Sequence, residues 1–226
     1  MESAVSMSFL TSILFRKEIS RPVFILGCGR SGTTILGKTL AEHRDITYLN
    51  ERRDLWSEAY PQTNIWTGDV STRGRMCLAG EDAERSRSKK LRRLFHRESL
   101  KTSRPVLVEK LPINNFRLEF INEIFPDARF VHIYRNGLEV ARSIQTLSDQ
   151  GHWYKFNHYK WDQLKQLAQK DAVTSDIPEM CNSYFRQGLF EWRLSSESAV
   201  NFLAGITPDR YLEISYAQFT SEPVDT

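Results

Sequence analysis

The sequence predicts an α/β fold with three layers, α/β/α, around a central parallel sheet and a helical C-terminal third. Three observations carry that expectation. Short apolar runs, Val23-Phe24-Ile25-Leu26 first among them, have the length and partial β-branching of strands buried on both faces. These runs alternate with segments of helical spacing, the pattern of parallel strands joined by crossover helices. A glycine-rich turn closes the first run and opens a helix, and in such sheets ligands sit at the carboxyl ends of the strands.

The elements follow in order. Arg21-Pro22 introduces the strand 23–26, and Thr33–Glu42 is a helix after the turn. Ile46–Leu49 reads as a second strand and Arg53–Tyr60 as a short helix. Residues 61–84, rich in Gly, Thr, Ser and Asp, read as a loop or lid. With the basic helix that follows, they form a lid or substrate-binding insertion over 61–104 in a single domain, 1–226. Pro105–Glu109 is the next strand. Phe116, Phe120, Ile121, Ile124 and Phe125 give helical spacing to Asn114–Phe125, stopped by Pro126. Arg129–Tyr134 is a further strand, followed by a helix from Gly137 to Leu147. Helices over Trp161–Gln169 and Tyr184–Leu203 and a last strand, Tyr211–Ile214, complete the chain, which contains no internal repeat.

Composition narrows the class. The 226 residues are 40% hydrophobic and 26% charged, enough for a sizeable core and outside the disordered range. Cys28, Cys77 and Cys181 lie too far apart for a disulfide framework or a zinc site, which favours a reducing compartment. No apolar run approaches the roughly 20 residues of a membrane helix, and Met7–Phe15 lacks a small-residue cleavage site. The reading is a soluble, cytoplasmic protein. Its net charge of +3 is unevenly placed: nine basic residues against Glu98 give Arg85–Arg104 a charge of +8, leaving −5 elsewhere. A helix this basic either faces an anionic partner or is a solvated face. Phe95 is its one aromatic, unlike a stacking platform for nucleic acid, so neither nucleic acid nor membrane is expected as a partner.

The segment Phe24-Ile-Leu-Gly27-Cys28-Gly29-Arg30-Ser31-Gly32-Thr33-Thr34 carries the chemistry. Its glycines let several backbone N–H groups point inward, and the helix N-terminus adds free N–H groups and a partial positive charge. Hydroxyls of Ser31, Thr33 and Thr34 and the charge of Arg30 complete a phosphate cradle. Gly27 and Gly32 have the spacing of an ATP-binding P-loop, yet Thr33 and Thr34 stand where that motif has lysine and a hydroxyl residue. The strand Arg129–Tyr134 leads into Arg135 rather than a magnesium-holding aspartate. The expectation is a P-loop-like fold without metal-triphosphate chemistry.

These residues resemble the sulfotransferases that use 3′-phosphoadenosine 5′-phosphosulfate (PAPS). Gly29-Arg-Ser-Gly-Thr-Thr34 is similar to their 5′-phosphosulfate loop. Phe130-Val-His-Ile-Tyr-Arg-Asn-Gly-Leu-Glu-Val-Ala-Arg-Ser143 is similar to their 3′-phosphate element, in which an arginine after a strand is followed eight residues later by a serine. The resemblance implies a P-loop-like sulfotransferase fold, with PAPS as donor, the desulfated nucleotide PAP as product, and no metal. Arg30, Ser31, Gly32, Thr33, Thr34, Arg135 and Ser143 would hold the nucleotide, and Tyr216 matches a late tyrosine that contacts it. The likeness covers residues 21–145 well and 205–223 weakly; members generally continue past the Tyr216 region into a segment that wraps the nucleotide, whereas this chain stops at Thr226.

Sulfuryl transfer demands alignment and charge stabilisation. Arg30 and Lys110 are the expected cations, Lys110 matching a strand-Lys-x-Pro context in the tyrosylprotein and related sulfotransferases. Glu51, twenty-one residues beyond Arg30, corresponds to the base of the tyrosylprotein type. An ion pair with Arg52 or Arg53 is its plainer reading, and Glu109 is the second candidate base, expected on the opposite strand face from Lys110. Leu147 departs from the basic residue of that type. The aromatic stretch His152–Trp161 is either a pocket wall or a core helix face. The expected reaction moves the sulfuryl group to a hydroxyl, less readily an amine, of a small molecule ahead of a protein tyrosine or a carbohydrate. A P-loop nucleotide kinase and a shortened nucleotide-binding protein without turnover stand as alternatives.

Overall fold

Strands β1 (Val23–Leu26), β2 (Ile46–Asn50), β3 (Val106–Lys110), β4 (Arg129–Tyr134) and β5 (Tyr211–Ser215) form one parallel sheet in the computed structural model, which describes residues 19–222. Their order is β2-β3-β1-β4-β5, and every pairing is parallel. The first strand is therefore central, flanked by β3 and β4; the chain runs from it to β2 on one side, and from β3 it crosses to β4 and β5 on the other. That reversal opens a crevice at the carboxyl end of β1, where open α/β sheets bind ligands. The expectations for Met7–Phe15 and for the chain end at Thr226 fall outside the described residues.

Strand alternation sorts the core into two layers. Phe24, Leu26, Leu49, Leu107 and Phe130 enter the larger one, whereas Ile25, Val108, Ile133 and Ile214 enter the smaller. Helix α1 (Thr33–Ala41) places Leu36 in the smaller layer. The larger is covered by α2 (Arg53–Ala59), α3 (Arg85–Thr102), α4 (Leu118–Ile124), α5 (Gly137–Asp149) and later helices. The later helices are α6 (Trp153–Phe156), α7 (His158–Ala168) and α8 (Tyr184–Leu203), whereas α9 (Tyr216–Ser221) packs Tyr216 and Phe219 against the smaller layer with α1. At the centre of the large layer Phe24 meets Trp56, Phe95, Phe125 and Phe130 at ring separations of 5.4–6.4 Å.

Two sequence expectations change. The helix expected from Asn114 begins at Leu118, after a 3-10 turn over Pro112–Phe116 and a break at Arg117, whose φ is −140°. Arg117 is fully buried and donates to the carbonyls of Met76, Thr63 and Arg75, which a continuous helix would not bring within reach. The second part of the insertion expected over 61–104 belongs to the core. Helix α3 buries Leu91 and Phe95 in the core as the crossover between β2 and β3, while Arg87 and Lys90 pair with Glu84 and Glu58. Residues 61–84 carry three 3-10 turns, at Pro61–Thr63, Val70–Thr72 and Gly80–Asp82.

Two expectations for stability follow. Phe24→Ala should cost about 3–5 kcal/mol in urea unfolding through the cavity it leaves, whereas Val70→Ala, at a side chain 75% exposed, should shift stability by less than about 0.5 kcal/mol. Glu109 is buried in the large layer, and burial raises its carboxyl to about 7 even though Trp56 and Asn114 hydrogen-bond it. Between the ordinary value of 4.5 and about 7, the folded chain holds a proton there that the unfolded chain has released. Stability from this group thus falls as pH rises through that window. Glu109→Gln should flatten the fall in the urea midpoint; an unchanged slope would mean that Glu109 folds ionised.

Candidate active site

Strand β1 delivers the chain into the loop 27–32 at the crevice between β3 and β4. Gly27 (φ 146°) and Gly32 (φ 98°) adopt backbone conformations that side chains resist, and space is equally restrictive. A Cβ on Gly32 would lie 2.3 Å from Cδ2 of Tyr216, and one on Gly29 would lie 2.5 Å from Cη2 of Trp153. The Gly27 N–H donates to Asn115 Oδ1 at 3.0 Å, and Asn115 Nδ2 donates to Ser195 Oγ at 2.9 Å, tying the loop to α8. Gly32 caps α1 without any side-chain hydrogen bond, so the first-turn N–H groups face the loop unclaimed. Together with the positive end of the helix dipole they suit a phosphate group.

The expected site residues fall into two clusters on either side of this loop. On the β3 side, Lys110 ends its strand opposite Asn50, with only 1% of its surface exposed. Its Nζ donates to Glu51 Oε1 at 2.7 Å and to Thr34 Oγ1 at 2.9 Å. The Glu51 N–H returns a bond to the Lys110 carbonyl at 2.8 Å, and Glu51 Oε2 accepts from Arg53 Nη2 at 2.9 Å. Burial works to raise the Glu51 carboxyl, but Lys110 and Arg53 together outweigh it and hold the group below its ordinary value. Arg52 does not join: it pairs with Asp54 and Glu98.

On the β4 side, Arg30 Nε donates to Ser143 Oγ at 3.0 Å, and Arg135 Nη1 donates to the Arg30 carbonyl at 3.3 Å. The Arg135 guanidinium lies 4.2 Å from the Tyr216 ring centroid and pairs with Glu139 at 2.7 Å. Ser31 and Thr33, in contrast, are 1% and 2% exposed and sit inside the loop; of the three hydroxyls, Thr34 is the one at the surface.

Glu109, the second candidate base, lies on the face that strand alternation predicts. It points into the core, accepting from Trp56 Nε1 at 3.0 Å and from Asn114 Nδ2 at 3.2 Å, on the face opposite Lys110. His132 is also spoken for, pairing with Glu213 across β4 and β5 at 2.9 Å.

A cavity of about 150 Å³ opens beside Glu51, walled by Arg53, Trp66, Pro112, Trp153, Phe156 and Lys160 among others. The aromatic stretch 152–161 thus divides: Trp153 and Phe156 face the cavity, whereas Tyr154 and Trp161 are core residues. A larger hollow of about 560 Å³, between Arg75–Asp82 and the later helices, contains none of the loop or strand-end residues. Sequence reasoning missed Asn115, Trp66 and Glu139. The double asparagine after Pro112 was a weak signal; the other two acquire their places only through tertiary contact.

A model of the Sulfotransferase family matches residues 22–226. An uncharacterised protein of Aquifex aeolicus (strain VF5) is 29% identical over 125 residues, which take in 54% of this chain and 16% of that protein. Among solved structures, the sulfotransferase domain from the curacin biosynthetic pathway aligns with a TM-score of 0.54 at 14% identity, over 92% of this chain and 71% of that one. The sulfotransferase domain of the Synechococcus PCC 7002 olefin synthase gives 0.53 at 16% identity, over 93% and 71%. A sulfotransferase from Alicyclobacillus acidocaldarius gives 0.51 at 16% identity, over 92% and 78%. At these identities the structures share the fold, and the family match spans nearly the whole described chain. With its phosphate loop between a strand-end lysine and a strand-end arginine, the chain belongs to the Sulfotransferase family.

Proposed function

We propose that this protein transfers the sulfuryl group of PAPS to an acceptor hydroxyl on a small molecule, by in-line displacement. The observation that carries the reading is the pair of cationic clusters flanking one phosphate loop. PAPS bears a 5′-phosphosulfate and a separate 3′-phosphate, and supplies the activated sulfuryl group when bound. The loop N–H groups and Arg30 suit the first anion, and Arg135 with Ser143 suits the second. Tyr216, against Gly32 and Arg135, closes that side of the nucleotide site.

Catalysis then rests on Lys110 and Glu51. Lys110 reaches the loop at Thr34 from a neighbouring strand and brings an ammonium to a loop whose own sequence lacks lysine. There it stabilises charge on the transferred oxygens and the leaving phosphate, as Arg30 does from the other side. Glu51 stays ionised at neutral pH and accepts the acceptor proton. Sharing Lys110 with the transferred oxygens loosens its hold on Glu51, so the carboxylate becomes more basic as the reaction begins. The acceptor oxygen bonds to sulfur while the bond from sulfur to the 5′-phosphate oxygen breaks, and PAP departs with that electron pair.

Calorimetric titration with PAP tests the donor site: the full chain should bind, and Arg135→Ala should weaken binding by about tenfold or more through loss of a charge-assisted contact. Absence of PAP binding to the wild-type chain removes the reading. Glu51→Gln should bind PAP within a few-fold of wild type but lose about 10²–10⁴ in transfer rate. Because its carboxyl is held below 4.5, wild-type turnover should lose its base only as pH falls through that lowered value, with no loss at neutral pH from this group.

A further inference from the structure

The basic helix α3 lies outside both clusters of the site. We infer that its exposed face is a docking surface for an anionic lipid bilayer, held there by charge and without insertion. This does not depend on the sulfotransferase reading. It departs from the sequence expectation of no membrane partner, which weighed apolar length and aromatic content and not which cations stay unpaired after folding.

Folding sorts the cations of α3. Arg87 pairs with Glu84, Lys90 with Glu58 and Lys101 with Glu98, while Arg92 donates to the Ile124 carbonyl. Arg85, Lys89, Arg93 and Arg97 are exposed and form no ion pair among the described residues. These four recur at every fourth position, so they stand in one row along the helix, about 6 Å apart and about 18 Å from end to end. Like charges at this spacing repel one another, and the helix sets no carboxylate among them. Its one acid, Glu98, is 7% exposed and already bonded to Arg52 and Lys101. On the opposite face Leu91, Leu94 and Phe95 are buried in the core, so the helix cannot turn the row away from solvent.

A partner for this row must bring many negative charges and ask for little else. Besides cations, the exposed positions of α3 are Ser86, Leu100 and Thr102. None is an asparagine, a glutamine or an aromatic residue, the side chains that read base edges or stack on bases. A cluster of Lys and Arg on an amphipathic helix is instead the footprint of anionic lipid headgroups. The distribution of charge adds direction. The segment Arg85–Arg104 carries +8 and the rest of the chain −5, so an anionic sheet attracts this face and repels the remainder. A flat surface takes up that one-sided field and relieves the repulsion along the row. Because the apolar side of α3 is occupied by the core, the contact is electrostatic and sensitive to salt.

Co-sedimentation of the full chain with vesicles tests the assignment. At about 50 mM salt the protein should bind phosphatidylcholine vesicles containing about 30% phosphatidylserine and ignore phosphatidylcholine alone. Binding should fall about tenfold or more by about 200 mM salt as screening rises. Arg93→Gln and Arg97→Gln should each weaken the partition about fivefold, the worth of one surface cation, and together about twentyfold or more. Lys38→Gln removes the same charge from α1, which covers the other layer of the core, and should change the partition by less than about twofold. Each variant alters an exposed side chain and should unfold in urea no earlier than wild type. Equal binding to neutral vesicles, an equal loss from Lys38→Gln, or no sedimentation with phosphatidylserine vesicles overturns the assignment. So does tighter binding to a short DNA duplex or to polyglutamate at the same salt, which would give the row a different partner.

Discussion

A lysine ammonium with 1% of its surface exposed has to be paired, and the pairing of Lys110 fixes the geometry of everything around it. Its two partners come from different elements: Glu51 just past the end of β2 and Thr34 in the first turn of α1. The Glu51 N–H closes back on the Lys110 carbonyl, so the two strand ends are joined through backbone and side chain at once. In a partly buried setting the attraction is far stronger than in water. The glycine-rich loop, Lys110 and the Glu51 carboxylate are thereby held as one unit.

The sheet order explains why this unit has a counterpart. Because β1 lies between β3 and β4, whatever follows β1 is approached from both sides by residues that end its neighbours. Lys110 ends β3, and Arg135 directly follows β4. The loop after β1 is therefore met by one cation on each flank, and the topology alone accounts for the division into two clusters. The cavity beside Glu51 lies on the Lys110 side, next to the carboxylate, and the Arg135 cluster stands on the other flank.

Much of this was legible because it is local. Strand runs such as Val23–Leu26 and helices such as Tyr184–Leu203 declare themselves through period and punctuation, and Gly27, Gly29 and Gly32 mark the loop by backbone need. Glu51 and Lys110 were singled out by the family resemblance and the structure brings them together, while Glu109 was separable from Lys110 by the two-residue period of a strand. What stayed hidden depends on partners remote in sequence. The apolar spacing of 114–125 is helical, and nothing in it shows that Arg117 will be recruited by three carbonyls from residues 63–76 and break the helix. Likewise Trp66 and Trp153, eighty-seven residues apart, become walls of one cavity only through tertiary folding.

Backbone strain points to the same place as the chemistry. Among the described residues five non-glycine positions have positive φ: Arg21, Arg30, Glu51, Ser103 and Trp153. Three of these, Arg30 in the loop, Glu51 at the strand end and Trp153 in the cavity wall, belong to the site. Each such conformation costs on the order of 1–3 kcal/mol and persists only where the surroundings over-determine it. The surroundings are visible: Arg30 is held by Ser143 and Arg135, Glu51 by Lys110, and Trp153 by Glu191 and Lys160. Glycine would adopt all three backbones without that cost, yet it would remove a guanidinium, a carboxylate and an indole from around the loop and its cavity. The strain is thus the cost of placing these three side chains at turns of the chain, and the polar contacts that hold them are what the fold sets against it.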